Sequence, residues 1–160
     1  MVKVLTVDDE PKNLRIIKEL LRVYCPNATH IGEAGNIELA RHMINELQPD
    51  LVLLDIEMPH GNAFDLLDSI MPVNFEIVFV TAFDSYTLKA FKYSALDYIL
   101  KPVDPEELKA AVAQFDGGLT VQGDIMYSGN VTKWKKFGYS LMLRLAMRMT
   151  KVDEAAAKTW

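Results

Sequence analysis

The sequence of 160 residues predicts an α/β protein built on a doubly wound, five-stranded parallel sheet with helices on both faces. Short apolar runs alternate with segments of helical periodicity five times along residues 1–115. Several of these runs are apolar at every position, as expected of strands that are buried on both faces. Polar residues follow the runs directly, which places a candidate site at the carboxyl ends of the strands.

The first three units begin with predicted strands at residues 3–7, 29–31 and 51–54. An acidic loop ends the first strand, and Pro11 then opens a helix, because proline is favoured in the first helical turn. Apolar residues recur at helical spacing over 37–47, and Pro49 ends that helix because it cannot continue one. Asp55 ends the third strand.

The last two units have predicted strands at residues 75–80 and 97–100, with helices before and between them at 64–70 and 86–93. Asp104 is a favoured N-cap, and Pro105 occupies the first position of the final helix. Parallel strands joined in this way require right-handed crossovers, which distribute the helices over both faces of the sheet.

Composition narrows the classes of protein. No run of 18 apolar residues and no signal-peptide pattern is present, so we expect a cytoplasmic protein. Cys25 is the only cysteine, which excludes an intramolecular disulfide and a thiolate metal cluster. Residues 1–115 carry 18 acidic and 10 basic side chains, whereas residues 116–160 carry 4 and 7, so the two parts are predicted to differ in role.

The candidate site is formed by polar residues that follow strands one, three, four and five: Asp8, Asp9, Asp55, Thr81 and Lys101. Three carboxylates brought together repel one another unless a cation intervenes, and an oxygen-only ligand set suits Mg²⁺. A carboxylate is also a nucleophile toward phosphorus, and a lysine and a hydroxyl can neutralise the charge on a phosphoryl group. Any one of these residues alone would be an ordinary loop or cap residue, so their joint placement carries the prediction.

Four motifs carry a family resemblance. VDDEP, LVLLDIEMP, FVTAF and ALDYILKP, in this order, resemble the response-regulator receiver family of two-component signalling, and DIEMPHGNAFDLLD with TAFDSYTLKAF resembles its LytTR-associated branch. The resemblance covers residues 1–115 and implies a flavodoxin-like sheet in the order 2-1-3-4-5. It also implies a phosphorylation-dependent switch that accepts a phosphoryl group from a sensor histidine kinase. Such a protein is a phosphoacceptor that assists its own phosphorylation and dephosphorylation rather than an enzyme.

The resemblance implies roles for the acidic residues. Asp55 resembles the phosphoacceptor of the family. Asp9 and Asp55 resemble direct Mg²⁺ ligands, with the backbone carbonyl of Glu57 as a third ligand. Asp8 would act through water.

The same resemblance assigns the remaining roles. Lys101 would pair with the phosphoryl group, and the peptide bond from Lys101 to Pro102 would be cis. Thr81 would donate its hydroxyl to a phosphoryl oxygen, and Tyr98 would then turn inward as the switch residue. A partner or a second copy would dock on residues 85–115.

Residues 116–160 are predicted to form a loop or short strand and a basic amphipathic helix at 131–151, and not an independent domain. The helix could cover the receiver, a second copy, an acidic protein or a membrane surface, and it could contribute to a homodimer. Direct nucleic-acid binding is not expected. This segment also resembles the C-terminal part of flavodoxin-like proteins of the protoporphyrinogen-oxidase type.

Two other functions stay open at the level of sequence. A flavodoxin-like redox protein would share the fold but would need a loop rich in glycine and hydroxyl residues after the first strand. An interaction or membrane-targeting module would use the basic C-terminal segment instead of the acidic site.

Overall fold

The computed structural model describes residues 1–59 and 61–115, and residues Met1–Phe115 form one compact unit. The predicted C-terminal extension, residues 116–160, lies outside the described residues. The elements in chain order are β1 (Val2–Val7), α1 (Pro11–Tyr24), β2 (Ala28–Ala34), α2 (Ile37–Leu47), β3 (Leu51–Leu54), β4 (Glu57–Met58), β5 (Gly61–Asn62), α3 (Ala63–Ser69), β6 (Glu76–Thr81), α4 (Thr87–Lys92), β7 (Asp97–Leu100) and α5 (Pro105–Ala113).

Five of the strands form one parallel sheet in the order β2-β1-β3-β6-β7. Counted among themselves, these strands have the order 2-1-3-4-5, so the predicted doubly wound sheet is confirmed. The strands β4 and β5 form a separate two-residue antiparallel pair, which the sequence did not predict.

The core consists of two apolar layers, one on each face of the sheet. Successive residues of one strand enter different layers, since Val52 and Leu54 pack in one layer while Leu51 and Leu53 pack in the other. All four residues of β3 have no exposed surface. Burying a Leu or Val side chain contributes about 1.5–3 kcal/mol, so this central strand anchors the edge at which Asp55 emerges.

The segment that follows Asp55 is fixed by a glycine and a helix cap. Gly61 has a φ of +155°, and a Cβ atom there would lie 2.5 Å from Cδ1 of Ile37, so glycine fits this turn. Asn62 then caps α3 by accepting hydrogen bonds from the backbone N–H groups of Phe64 and Asp65, and Asp65 accepts in return from the Asn62 N–H. The chain is thereby turned back onto the sheet directly beyond the site.

None of the helices within residues 1–59 and 61–115 has the length and the hydropathy of a membrane-spanning segment.

Candidate functional site

The predicted site residues lie at one edge of the sheet. Asp8 and Asp9 follow β1, Asp55 follows β3, Thr81 ends β6, and Lys101 follows β7. Backbone hydrogen bonds join these strand ends, because the Asp55 N–H donates to Val7 O at 2.9 Å and the Lys101 N–H donates to Thr81 O at 2.8 Å. Strands far apart in sequence therefore present their polar ends side by side.

Three carboxylates meet at this edge. Asp8, Asp9 and Asp55 each offer a carboxylate oxygen, and these oxygens lie within 4.8 Å of one another. Asp8 is 1% exposed and Asp55 is 7% exposed, so two of the three acids are buried. Oδ1 of Asp8 accepts hydrogen bonds from the Glu10 N–H at 2.9 Å and from Nδ2 of Asn13 at 3.3 Å, which fix the orientation of this carboxylate.

Lys101 brings a positive charge to the same place. Its Nζ atom lies 2.5 Å from Oδ2 of Asp55 and 2.7 Å from Oδ2 of Asp8. The contact with Asp55 is a hydrogen bond, and the backbone N–H of Ile56 donates to Oδ1 of Asp55 at 2.6 Å. The peptide bond from Lys101 to Pro102 is cis, as the resemblance implied.

Burial and charge act in opposite directions on the protonation of this pair. Burial raises the pKa of Asp55, and the neighbouring Asp8 charge adds to this, while the hydrogen bond and charge of Lys101 oppose it. Burial on its own disfavours the charged form of Lys101, but its contacts with Asp55 and Asp8 outweigh that effect and raise its pKa. Lys101 is therefore held as an ammonium group among carboxylates.

The acidic cluster has the chemistry of a divalent cation site. Oδ2 of Asp8 is buried and lies 2.7 Å from the Lys101 ammonium group. A carboxylate oxygen that contacts one ammonium group keeps a second lone pair, which can accept from a water molecule bound to a cation. Carboxylate oxygens are the ligands that Mg²⁺ and Ca²⁺ prefer. One ammonium group beside three ionised carboxylates leaves a net charge of two negative units, which a divalent ion would balance.

Thr81 and Tyr98 lie close to the loop that follows β6. Thr81 is fully buried, and its Oγ1 atom accepts a hydrogen bond from the Phe83 N–H at 3.5 Å. The Tyr98 ring centroid lies 6.2 Å from that of Phe79, and its hydroxyl donates to the backbone oxygen of Phe83. Both side chains thus hold the same loop, although they come from different strands.

Two contacts at the site were not predicted. Asn13 orients Asp8, as described above, and the Tyr86 hydroxyl donates a hydrogen bond to Oε1 of Glu57 at 2.8 Å. Asn13 lies on the first turn of a helix that starts three residues after Asp8, so its position could have indicated its role. Tyr86 and Glu57 are 29 residues apart in sequence, and no local pattern joins them.

This combination of fold and site defines a doubly wound α/β protein with a lysine-bridged acidic cluster at the carboxyl edge of its sheet. A family model described as the response regulator receiver domain matches residues 4–113, and the chain belongs to this family. The predicted receiver fold and two-component assignment are therefore confirmed.

Individual relatives agree with the family match. An uncharacterized response regulatory protein of Vibrio vulnificus is 42% identical over 113 residues, which are 70% of this chain and 46% of that protein. The transcriptional regulatory protein BtsR of Escherichia coli K12 is 39% identical over 118 residues, 71% of this chain and 48% of that protein. The match to BtsR confirms the LytTR-associated branch. The chain spans about half the length of the curated relatives it matches.

A solved structure shows the same fold. A DNA-binding response regulator of the LuxR family from Staphylococcus aureus superposes with a TM-score of 0.65 at 24% identity, over 71% of this chain and 98% of that one. At this identity the match shows the similarity of the fold alone.

A second family model, described as starch-binding associating with outer membrane, matches residues 77–160. Its first 37 positions coincide with the receiver match, and there the chain forms β6, α4, β7 and α5 of the parallel sheet. Of its remaining positions, residues 116–160 fall outside the described residues. They are the segment for which the sequence suggested a resemblance to flavodoxin-like proteins of the protoporphyrinogen-oxidase type.

Proposed function

We propose that residues 1–115 act as a signalling switch in which Asp55 accepts a phosphoryl group from a histidine kinase. The observation that carries this proposal is the meeting of three carboxylates within 4.8 Å of one another with Lys101 in contact with two of them. Family membership supports the same function, because a receiver domain is a phosphoacceptor that works with a cognate histidine kinase.

The chemistry requires Asp55 as a carboxylate. One of its oxygens forms a bond to phosphorus, and the bond between phosphorus and the leaving group of the donor breaks in line with it. Lys101 then exchanges part of its contact with Asp55 for a contact with the transferred phosphoryl oxygens. Thr81, at the end of the adjacent strand, would donate its hydroxyl to another of these oxygens.

Mg²⁺ is the cofactor that this site would hold. Asp9 and Asp55 would be direct ligands together with the backbone carbonyl of Glu57, and Asp8 would act through water. The ion supplies charge neutralisation for the phosphoryl oxygens. Burial of Asp8 and its two hydrogen bonds through Oδ1 support a fixed role for this residue in orienting the bound water.

Phosphorylation would be transmitted through the loop that follows β6. If the Thr81 hydroxyl turns toward a phosphoryl oxygen, it gives up the hydrogen bond that it accepts from the Phe83 N–H. Tyr98, whose hydroxyl holds the Phe83 carbonyl, would then be released to turn inward. This change alters the surface of residues 85–115, where a partner or a second copy would dock.

Intact-mass spectrometry after incubation with acetyl phosphate and Mg²⁺ tests the proposed function. We expect a mass gain of one phosphoryl group in the wild-type chain. The gain should be absent in Asp55→Asn and in the presence of a chelator. A matched control is Asp50→Asn, which changes an aspartate that accepts a hydrogen bond from the Lys3 N–H at 2.8 Å, away from the acidic cluster. Labelling that survives in Asp55→Asn would contradict the assignment of the phosphoacceptor.

A second candidate function concerns residues 77–160 and rests on the starch-binding family match. Binding to insoluble starch, compared between the full chain and a chain shortened to residues 1–115, tests it.

The two other functions that the sequence left open are membrane targeting and flavodoxin-like redox chemistry. Sedimentation with anionic vesicles, compared between the same two chains, tests membrane targeting by the basic segment. The flavodoxin-like alternative is disfavoured, because the loop after β1 carries Asp8 and Asp9, whose charge would repel a flavin phosphate.

A further inference from the structure

The hydrogen bond between Tyr86 and Glu57 links the loop after the phosphoacceptor to the segment that precedes α4. The Tyr86 hydroxyl lies 2.8 Å from Oε1 of Glu57. The Tyr86 ring is held on two sides, with its centroid 6.0 Å from that of Phe64 and 6.2 Å from that of Phe83, the latter edge-on. Because the ring is fixed by these contacts, the direction of its hydroxyl is fixed as well. The Glu57 carboxylate in turn raises the pKa of Tyr86.

Glu57 is close to the acidic site in the chain. It lies two residues after Asp55, which corresponds to at most about 7 Å between their Cα atoms. Its side chain is exposed, so a rotamer change is not blocked by packing. A Glu57 carboxylate turned toward Asp55 would become the fourth carboxylate at a site where two of the three already share one lysine.

We propose that Tyr86 is a positioning residue that holds the Glu57 carboxylate away from the acidic site and so limits the negative potential at Asp55. This inference rests on the proposed function, because it concerns the field in which Asp55 meets Mg²⁺ and an anionic phosphodonor. The Glu57 carbonyl remains the expected metal ligand, whereas its side chain acts at a distance.

An electrostatic role has a signature that a structural role lacks. Release of the Glu57 carboxylate toward the site should strengthen the binding of a cation and weaken the approach of an anion at the same time. Loosening of the loop would instead weaken both. The two measurements together therefore separate the two roles.

The test uses four variants of the full chain: Tyr86→Phe, Glu57→Gln, the double variant and Tyr93→Phe. Tyr93→Phe is a matched control, because the Tyr93 hydroxyl donates to Oδ1 of Asp68 at 2.9 Å and its ring also packs on Phe64, while Asp68 lies in the last turn of α3. Mg²⁺ affinity is measured by NMR titration of ¹⁵N-labelled protein. The rate of labelling by acetyl phosphate is measured by intact mass.

For Tyr86→Phe we expect Mg²⁺ binding to tighten and labelling to slow, each by roughly two- to fivefold, and the effects to fade near 1 M salt, where the Debye length is about 3 Å. The double variant should match Glu57→Gln, and Tyr93→Phe should match the wild type. Equal changes in Tyr86→Phe and Tyr93→Phe, a loss of both activities in Tyr86→Phe, or an effect that persists without the Glu57 carboxylate would overturn the inference.

The outcomes also separate this inference from the proposed function. If the wild type is not labelled but Mg²⁺ binding responds to the variants as expected, the inference stands and the proposed function fails. If the wild type is labelled and the variants do not differ from it, the inference alone fails. A wild-type chain that neither binds Mg²⁺ nor is labelled overturns both.

Discussion

Lys101 contacts the buried carboxylate of Asp8 at 2.7 Å while it also contacts Asp55, so one ammonium group serves two buried acids. Asp55→Asn removes one of these acids and leaves Lys101 paired with Asp8. Because burial raises the pKa of Asp55, its charged form is unfavourable in the metal-free protein. We expect the free energy of unfolding of Asp55→Asn to exceed that of the wild type by about 1–2 kcal/mol in urea at pH 7 with chelator. Saturating Mg²⁺ should stabilise the wild type more than the variant. A less stable variant under chelation would show that Asp55 is fully compensated by Lys101.

Lys101→Met should have the opposite effect on stability. It leaves the buried carboxylates of Asp8 and Asp55 without their shared cation, and removal of one partner from a buried ion pair typically costs about 3–5 kcal/mol. The measurement is again urea unfolding under chelation at pH 7, with Mg²⁺ expected to restore part of the loss. Lys109→Met is the control, since Lys109 forms an exposed ion pair with Glu106 at 3.5 Å and should change stability by at most about 1 kcal/mol. Similar losses in both variants would argue against a buried cluster.

Gly61→Ala tests the turn between Asp55 and α3. The added Cβ would meet Cδ1 of Ile37 at 2.5 Å in a backbone conformation that disfavours side chains, so we expect a loss of about 1–3 kcal/mol in the free energy of unfolding. Gly35→Ala is the matched control, because a Cβ at Gly35 has no heavy atom within 4 Å. Thermal and urea unfolding of the two variants should therefore separate clearly, and an unaffected Gly61→Ala would mean that the turn relaxes without penalty.

His30 predicts a pH dependence of stability. Its Nε2 atom is buried and has no hydrogen-bond partner among the described residues. Burial lowers its pKa from 6.5, Glu33 opposes the shift, and Lys18 adds to it. The unfolded chain therefore binds a proton more readily than the folded one, so stability falls as pH decreases below 6.5 toward the lowered folded pKa.

Urea unfolding between about pH 7.5 and pH 5 measures how the free energy of unfolding changes with pH. Both limits lie about one pH unit or more from the ordinary histidine pKa of 6.5. In His30→Gln this change should be smaller, because the proton that His30 takes up on unfolding is lost. His42→Gln is the control on the exposed face of α2. The expectation fails if His42→Gln reduces the slope as much as His30→Gln does.

The sheet was predictable from the sequence because most of its strands are buried runs of apolar residues. The strand predicted at 29–31 is shorter than β2, which extends over Ala28–Ala34. His30, Gly32 and Glu33 interrupt the apolar pattern of this strand, which lies at the end of the described sheet and pairs with β1 alone. The helix predicted at 86–93 is α4, which starts one residue later and ends one residue earlier.

The site was predictable where it depends on topology and unpredictable where it depends on side-chain reach. Asp8, Asp55 and Lys101 meet because parallel strands end at one edge, which the order of elements already implies. The hydrogen bond from Tyr86 to Glu57 depends on the packing of the Tyr86 ring against Phe64, and such contacts between loops leave no periodic signal in a sequence.

The position of β7 at one end of the described sheet has a consequence for how long the complete site persists. This strand pairs with β6 alone and is joined to α5 by the hydrogen bond from Gln114 Nε2 to Asp97 Oδ2 at 2.8 Å. Edge elements open locally at a lower free energy than the centre of a sheet. An opening of β7 withdraws Lys101 while Asp8 and Asp55 stay on their central strands. The hydrogen-exchange rates of the β7 backbone amides therefore measure how often Lys101 loses its contacts with Asp8 and Asp55.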